Sequence, residues 1–440
     1  MAKNEDIKQA KVPKGRLSRM FKLGGLASKI AGDVALSGAR QFVQGNSPKL
    51  TDLILTPANI GRIGKQLANM RGAAMKIGQL MSMDAGDLLP AELTALLEHL
   101  RSNAQAMPLK QLQQVLEQEW GTNWHDKFIV FSFSPFAAAS IGQVHLATSS
   151  AGQMLAIKIQ YPGIGQSIDS DIDNVATLLN ISGLLPKQLE IKPLLEQAKK
   201  QLHDEANYIL EADYIEKYTQ LIAPFSEFIV PSVNLDLSTK RILAMSHVQA
   251  DPIESVINFP QEIRNQVATS LITLLLKEVF EFGLVQTDPN FANYMYQPES
   301  NKIVLLDFGA TRHFPSSIAE QYLQLIKGCL ASDNNQIISS AEHIGLIGED
   351  VPQSHKMLIA KVCMEASEPL QRDQEFDFAS SDLVLRMHNA GMELSSAREF
   401  WRAPPADVIF VHRKVGGLYL LASKLKAKVN VHALIKPFLK

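Results

Sequence analysis

Two periods of hydrophobic recurrence follow one another along this chain, and the switches between them mark its parts. Over residues 16–43, Leu17, Met20 and Phe21, then Ile30 and Val34, recur at helical spacing, with Arg16, Arg19, Lys22 and Lys29 between them. Gly24 and Gly25 interrupt that run. Residues 56–118 read as several helices, with Pro90 and Pro108 as breaks or first-turn positions. The texture then turns to β-formers over 128–133, 141–147 and 154–160, and Ser149-Ser150-Ala151-Gly152 joins the last two as a hairpin loop. Residues 163–199 read as a partly helical insertion with a break near Pro193, and 194–221 as one long helix. Short strands are predicted over 228–233 and 241–246. From Pro260 onward the pattern is mostly helical, interrupted by strand-like pieces at 293–296 and 302–306, and it ends basic and helical over 408–440.

Composition narrows this picture. With 440 residues, 46% hydrophobic and 20% charged, the chain has room for a two-lobed catalytic domain and an extension. A net charge of −2 gives no reason to expect nucleic acid as a partner. Cys329 and Cys363 fit neither a metal spacing nor a disulfide framework, which predicts a reducing compartment. The longest apolar stretch, 271–285, is broken by Lys277 and Glu278 and falls short of the ~18 residues of a spanning helix. The first residues are polar and lack the apolar core of a secretory signal, so the expectation is a cytoplasmic protein without a spanning helix. Residues 1–49 carry ten Lys/Arg against three Asp/Glu, a net of +7, which leaves −9 for the remainder. That basic, amphipathic beginning is read either as a helix packed on the domain or as one lying on an anionic membrane surface.

The strongest chemical signal is Asp288-Pro-Asn-Phe-Ala-Asn293 followed by Asp307-Phe-Gly309. An Asp with an Asn five residues on forms the catalytic loop of protein kinases, and the Asp of Asp-Phe-Gly binds the magnesium that bridges the phosphates. The 14 residues from Asn293 to Asp307 contain the two strand-like pieces of the hairpin that this geometry needs. Magnesium takes hard oxygen ligands, one or two carboxylates together with phosphate, and this spacing supplies them. Lys158 ends an apolar strand, as does the kinase lysine that contacts the α- and β-phosphates. Such a lysine is held by a carboxylate on the following helix, where Glu205 and Glu211 both stand. Six residues apart on one helix, they point roughly 120° from each other, so only one is expected to face the lysine. Ala137, Ala138, Ala139 and Ser140 occupy the place of the glycine-rich phosphate loop, where only Gly142 remains. Each Cβ keeps the backbone from positive φ, which predicts a phosphate loop of changed geometry. Met245, on the strand predicted at 241–246, is a further candidate nucleotide contact.

Taken together these motifs resemble the UbiB family of atypical kinases, in its coenzyme-Q-biosynthesis branch of mitochondrial ADCK-type ATPases and bacterial relatives. The resemblance runs from about Val12 nearly to the C-terminus and includes Lys76-Ile-Gly-Gln79, the alanine-rich loop, Lys158-Ile-Gln-Tyr-Pro-Gly163, Gln286-Thr-Asp-Pro-Asn-Phe-Ala-Asn293 and Leu305-Leu-Asp-Phe-Gly-Ala-Thr-Arg312. It implies an α+β, protein-kinase-like two-lobed fold, with a small β-rich N-lobe, a helical C-lobe and a helical N-terminal extension. The divisions expected are a basic segment at 1–48, an extension at 49–125, an N-lobe at 126–248 with its insertion at 163–199, and a C-lobe at 249–440. It implies that the extension packs where a protein substrate would lie, which makes Lys76, Gly78, Gln79 and Glu205 regulatory, and it assigns Glu211 to Lys158. The family's Glu-x-Asp pair falls on Glu205-Ala-Asn207, so this chain has Asn in place of Asp. Fewer than about ten residues separate Asp307-Phe-Gly309 from the helical pattern near Ser316, and no Ala-Pro-Glu follows, so the chain lacks a peptide-docking segment. The resulting expectation is an ATPase-type atypical kinase using ATP and Mg²⁺. Lys158 contacts phosphate, Asp288 positions a water or hydroxyl, and Asn293 and Asp307 hold the metal. Its implied role is support of ubiquinone biosynthesis at the inner membrane, with anionic lipid and ubiquinone-pathway proteins or precursors as partners. A small-molecule or lipid kinase and a nucleotide-gated lipid-binding scaffold are the alternatives.

Overall fold

Pro108 opens helix α1 (Leu109–Trp120), its carbonyl accepting the amides of Gln111 and Leu112. This computed structural model describes residues 106–182, 192–348, 350–396 and 404–440, with Lys29, Gly32 and single positions or short runs between Thr56 and Ile77. The rest of the basic amphipathic start at 1–48 lies outside the described residues, as do Gly78 and Gln79. Strands β1 (Phe128–Phe131), β2 (Ala137–Ala138), β3 (Gly142–Ser149) and β4 (Met154–Gln160) follow, then helices α2 (Ile164–Ser182), α3 (Lys192–Glu205) and α4 (Tyr208–Ile222). Next come β5 (Phe228–Ile229), β6 (Ile242–Ser246), β7 (Asp251–Pro252) and α5 (Gln261–Lys277), which runs into a π-helical turn, Glu278–Phe282. Strands β8 (Leu284–Gln286), β9 (Tyr294–Gln297), β10 (Lys302–Leu305) and β11 (Thr311–His313) precede helices α6 (Ser316–Ala331), α7 (Asn334–His343) and α8 (Gln353–Ala366). Strand β12 (Phe376–Asp377), α9 (Leu383–Ser396), α10 (Ala406–Lys424), β13 (Lys428–Val429) and α11 (Val431–Ile435) complete the described elements.

Two compact units result, one of residues 1–212 and 233–247, the other of 213–232 and 248–440. The first is built on an antiparallel sheet of order β1-β3-β4-β6, with β2 against β3. Leu112, Val115 and Leu116 of α1, at i, i+3 and i+4, pack with Trp124, Leu155, Ile157 and Ile159 into its core. The second is mostly helical, and its β9–β10 hairpin has the register Val304↔Met295, with β5 parallel to β10. A β-rich and a helical lobe make this the expected kinase-like α+β fold. Among the described residues, no helix is long and apolar enough to cross a membrane.

The helix expected over 194–221 is two helices. Asn207 breaks it, because its side-chain oxygen accepts the Leu210 amide at 3.2 Å and caps the start of α4. Asn and Asp serve equally as such caps, so the Asn found where the family has Asp keeps a local role here. Pro193 stands in the first turn of α3, where its missing N–H breaks no helical bond.

Candidate functional site

In the first unit, β3 and β6 flank β4 and hold Lys158 opposite Val144 on one side and Leu243 on the other. Its ammonium donates to both carboxylate oxygens of Glu211, at 2.8 and 3.0 Å. Glu211 is 1% exposed and Lys158 9%, so this ion pair is desolvated and held by two directed bonds. Glu211 lies in the first turn of α4, where the helix dipole favours a carboxylate. The Lys158 ammonium also sits 5.2 Å from the centre of the Tyr208 ring.

Glu205 has different partners. One of its oxygens accepts the Lys76 ammonium and the other accepts the Ser140 hydroxyl at 2.7 Å. Of the two glutamates only Glu211 bonds Lys158, and Glu205 serves Lys76 and Ser140. Lys76 is buried with Ala73, Ala74 and Ile77, and Gly72 lies so near that a Cβ would come 3.1 Å from the Ser140 carbonyl. The extension is thus clasped onto the alanine-rich loop. Within that loop, Ala137 and Ala138 form β2 opposite Val144 and Gln143, and the Ala139 amide donates to the Gly142 carbonyl at 3.0 Å. None of residues 137–142 adopts a positive φ. Gly142 persists because a Cβ there would meet the Ile159 carbonyl oxygen at 2.3 Å. Met245 is half-buried on β6, opposite Ala156.

A buried polar chain supports the same loop. The Gln143 side chain accepts the Met107 amide at 2.9 Å and donates to His145 Nε2 at 2.7 Å. His145 must then carry its proton on Nδ1, which donates to the Ser132 carbonyl at 2.7 Å. Burial pulls the His145 pKa below its ordinary value of 6.5, against the weaker opposing effect of the Ser132 bond. The stability contributed by neutral His145 is complete above the unfolded-state pKa and is lost as pH falls below it, by at most about 1.4 kcal/mol per pH unit. Urea unfolding at pH 7.5 and 5.5 is expected to show a larger stability difference for the wild-type chain than for His145→Gln. Equal differences would remove His145 from this role.

In the second unit, the loop between β8 and β9 carries Asp288 and Asn293. Asn290 shapes it, its side chain accepting the Ala292 amide at 3.2 Å to cap the turn Phe291–Asn293. The Asn293 carboxamide nitrogen donates to Asp288 Oδ2 at 3.1 Å, and a carboxylate only accepts, so the amide oxygen remains as a hard ligand atom. The Asn293 carbonyl accepts the Leu306 amide at 2.8 Å, which ties this loop to the residue before Asp307. Asp307 takes the left-handed conformation, φ 56°, that Asp and Asn tolerate best among residues with a Cβ. Its Oδ1 accepts the Gly309 amide at 3.1 Å. Gln286 donates to the Asp307 carbonyl at 3.3 Å, and Thr287 binds the Ala310 carbonyl through its amide and its hydroxyl, the latter at 2.7 Å. This donor set fits magnesium, which takes one or two protein oxygens and draws the rest of its shell from phosphate and water.

Behind the loop is a buried network that sequence reasoning missed. Glu278, 0% exposed, accepts from Tyr218 at 2.5 Å, from the Gln286 amide at 3.1 Å and from the Lys414 ammonium. Its signal was present, since Lys277 and Glu278 interrupt an otherwise apolar run.

The ABC1 atypical kinase-like domain model matches residues 99–341. The atypical kinase COQ8 of Saccharomyces cerevisiae, a mitochondrial protein, is 36% identical over 99% of this chain and 87% of its own length. The mitochondrial atypical kinase COQ8B of Rattus norvegicus is 34% identical over 96% of this chain and 80% of its own length. Among solved structures, the Rv3197–erythromycin complex from Mycobacterium tuberculosis aligns with a TM-score of 0.59 at 23% identity, covering 85% of this chain and 95% of that one, a likeness of fold. The matched domain contains Lys158, Glu211, Asp288, Asn293 and Asp307, and with these relatives it establishes that the chain belongs to the ABC1/UbiB family of atypical kinases, in its coenzyme-Q-biosynthesis branch.

Proposed function

We propose that this protein binds Mg-ATP and either hydrolyses it or passes its terminal phosphoryl group to a small acceptor, in support of ubiquinone biosynthesis at a membrane surface. The observation that carries this reading is the joining of Asp288, Asn293 and Asp307 through the Asn293–Asp288 bond and the backbone bond from Leu306 to Asn293. Asn293 and Asp307 would hold the metal, which when bound neutralises charge on the phosphates. Asp288 would orient the attacking water or hydroxyl and take up its proton. Lys158 would donate to phosphate oxygens, with Glu211 fixing its position. Phosphoryl transfer asks for little beyond such placement and charge stabilisation.

Between Gly309 and the start of α6 at Ser316 the chain spends half of its short connection on β11, Thr311–His313. No stretch there has the length that docks a peptide in protein kinases, which favours hydrolysis or a small acceptor over protein phosphorylation in trans. The net +7 of the first 49 residues supports association with anionic lipid.

The test is magnesium-dependent phosphate release by the purified chain, with and without anionic liposomes, beside a ubiquinone-dependent growth assay. Release of free phosphate is expected, and Asp288→Asn and Lys158→Ala are both expected to abolish growth. Growth retained in Asp288→Asn but lost in Lys158→Ala would replace this reading with a nucleotide-gated scaffold.

A further inference from the structure

One stripe of α10 meets the catalytic loop and the segment after Asp307-Phe-Gly309. Phe410, Lys414, Gly417 and Lys424 follow one another at intervals of four, three and seven, which places them on a single helix face. The Arg312 guanidinium lies 4.6 Å from the centre of the Phe410 ring, and the Lys424 ammonium 4.8 Å from that of Phe291. A Cβ on Gly417 would come 2.7 Å from Pro289 Cβ, whereas one on its neighbour Gly416 would meet nothing within 4 Å. Lys414 is 2% exposed and bonded to Glu278. Glu278 holds the Gln286 amide, and the Gln286 side chain holds the Asp307 carbonyl. A continuous path of hydrogen bonds thus leads from α10 to Asp307. Residues 289–292 carry no charge of their own, and burial pulls the Lys414 pKa below its ordinary value, with the carboxylates of Glu278 and Asp288 opposing that effect less strongly.

We propose that α10 is the seat of the catalytic loop, with Lys414 as a positioning residue for Asp307 and Gly417 as the point of close approach at Pro289, the residue after Asp288. This deepens the phosphoryl-transfer reading and rests on it for its kinetic consequence, but not for its structural one.

Two variants of the full chain separate positioning from stability. Gly417→Ala adds one methyl group against Pro289, with Gly416→Ala as its matched control. Lys414→Met alone strands Glu278 and invites unfolding, so it is paired with Glu278→Gln, which removes both charges together. Amide hydrogen exchange over residues 284–297 is expected to accelerate in Gly417→Ala and in the double variant, with residues 316–343 unchanged. In the same proteins kcat is expected to fall about tenfold or more, with the KM for ATP within about twofold, because misplacement of a loop costs the chemical step more than binding. Gly416→Ala is expected to match wild type in both readouts. Wild-type exchange and kcat in both variants would overturn the proposal, as would exchange rising equally over 284–297 and 316–343. The exchange readout needs no turnover, so it stands even where phosphate release fails and the functional reading falls.

Discussion

Asp307→Asn is expected to lower magnesium-dependent turnover by about two to three orders of magnitude, the scale of removing one strong electrostatic contact from a transition state. The fold should be untouched. The left-handed backbone at this position, φ 56°, suits Asn as well as Asp, and a carboxamide oxygen can still accept the Gly309 amide now bonded at 3.1 Å. What the substitution removes is the negative charge, and with it the hard anionic ligand that Asp307 would offer magnesium. Asp307→Ala loses that charge as well, but also the side-chain acceptor and the tolerance of positive φ, so it should add about 1–2 kcal/mol of destabilisation. Turnover, thermal stability and the magnesium dependence of nucleotide affinity, measured on both variants, separate these effects. Asp307→Asn with wild-type turnover would remove Asp307 from metal binding. Equal stability of the two variants would show that the backbone conformation is not held by its side chain.

Much of this was legible because the signals are local. The strands around Lys158, the hairpin that places Asp307, and the restart of helix at Ser316 each follow from periodicity over fewer than about ten residues. The family motifs then fix their order. What escaped is of two kinds. The break at Asn207 leaves no Gly or Pro in the pattern, and an Asn inside an apparent helix becomes a cap only when the chain on either side has separate places to pack. The Lys414–Glu278 pair spans 136 positions, and no local pattern announces a contact of that range. The interruption of the apolar run 271–285 at Lys277 and Glu278 was its only trace. The continuous helix read over 194–221 did not mislead about its glutamates: only Glu211 bonds Lys158, while Glu205 bonds Lys76 and Ser140, and the break at Asn207 changes the course of the chain between them and not that division of partners.

The Lys158–Glu211 pair allows nucleotide binding to be separated from stability, because both partners are buried. Lys158→Met leaves a carboxylate that is 1% exposed facing an apolar chain, and Glu211→Gln replaces the carboxylate that holds the Lys158 ammonium by two bonds with a neutral amide. Each single variant is expected to lose about 3–5 kcal/mol of stability, the cost of breaking a buried pair by removing one partner. The double variant Lys158→Met/Glu211→Gln removes both charges and should recover most of that loss, since a buried pair contributes little net stability once both members are gone. Nucleotide affinity should not recover with it. A charge-assisted bond to phosphate is worth about 1.5–3 kcal/mol, so ATP should bind the double variant roughly ten- to hundredfold more weakly than wild type. Denaturant unfolding and calorimetric titration with Mg-ATP, carried out on the three variants, read the two quantities independently. A stable double variant with wild-type affinity would mean that Lys158 serves the fold and not the nucleotide. An unstable one would mean that the geometry around β4 and α4, and not charge balance, depends on this pair.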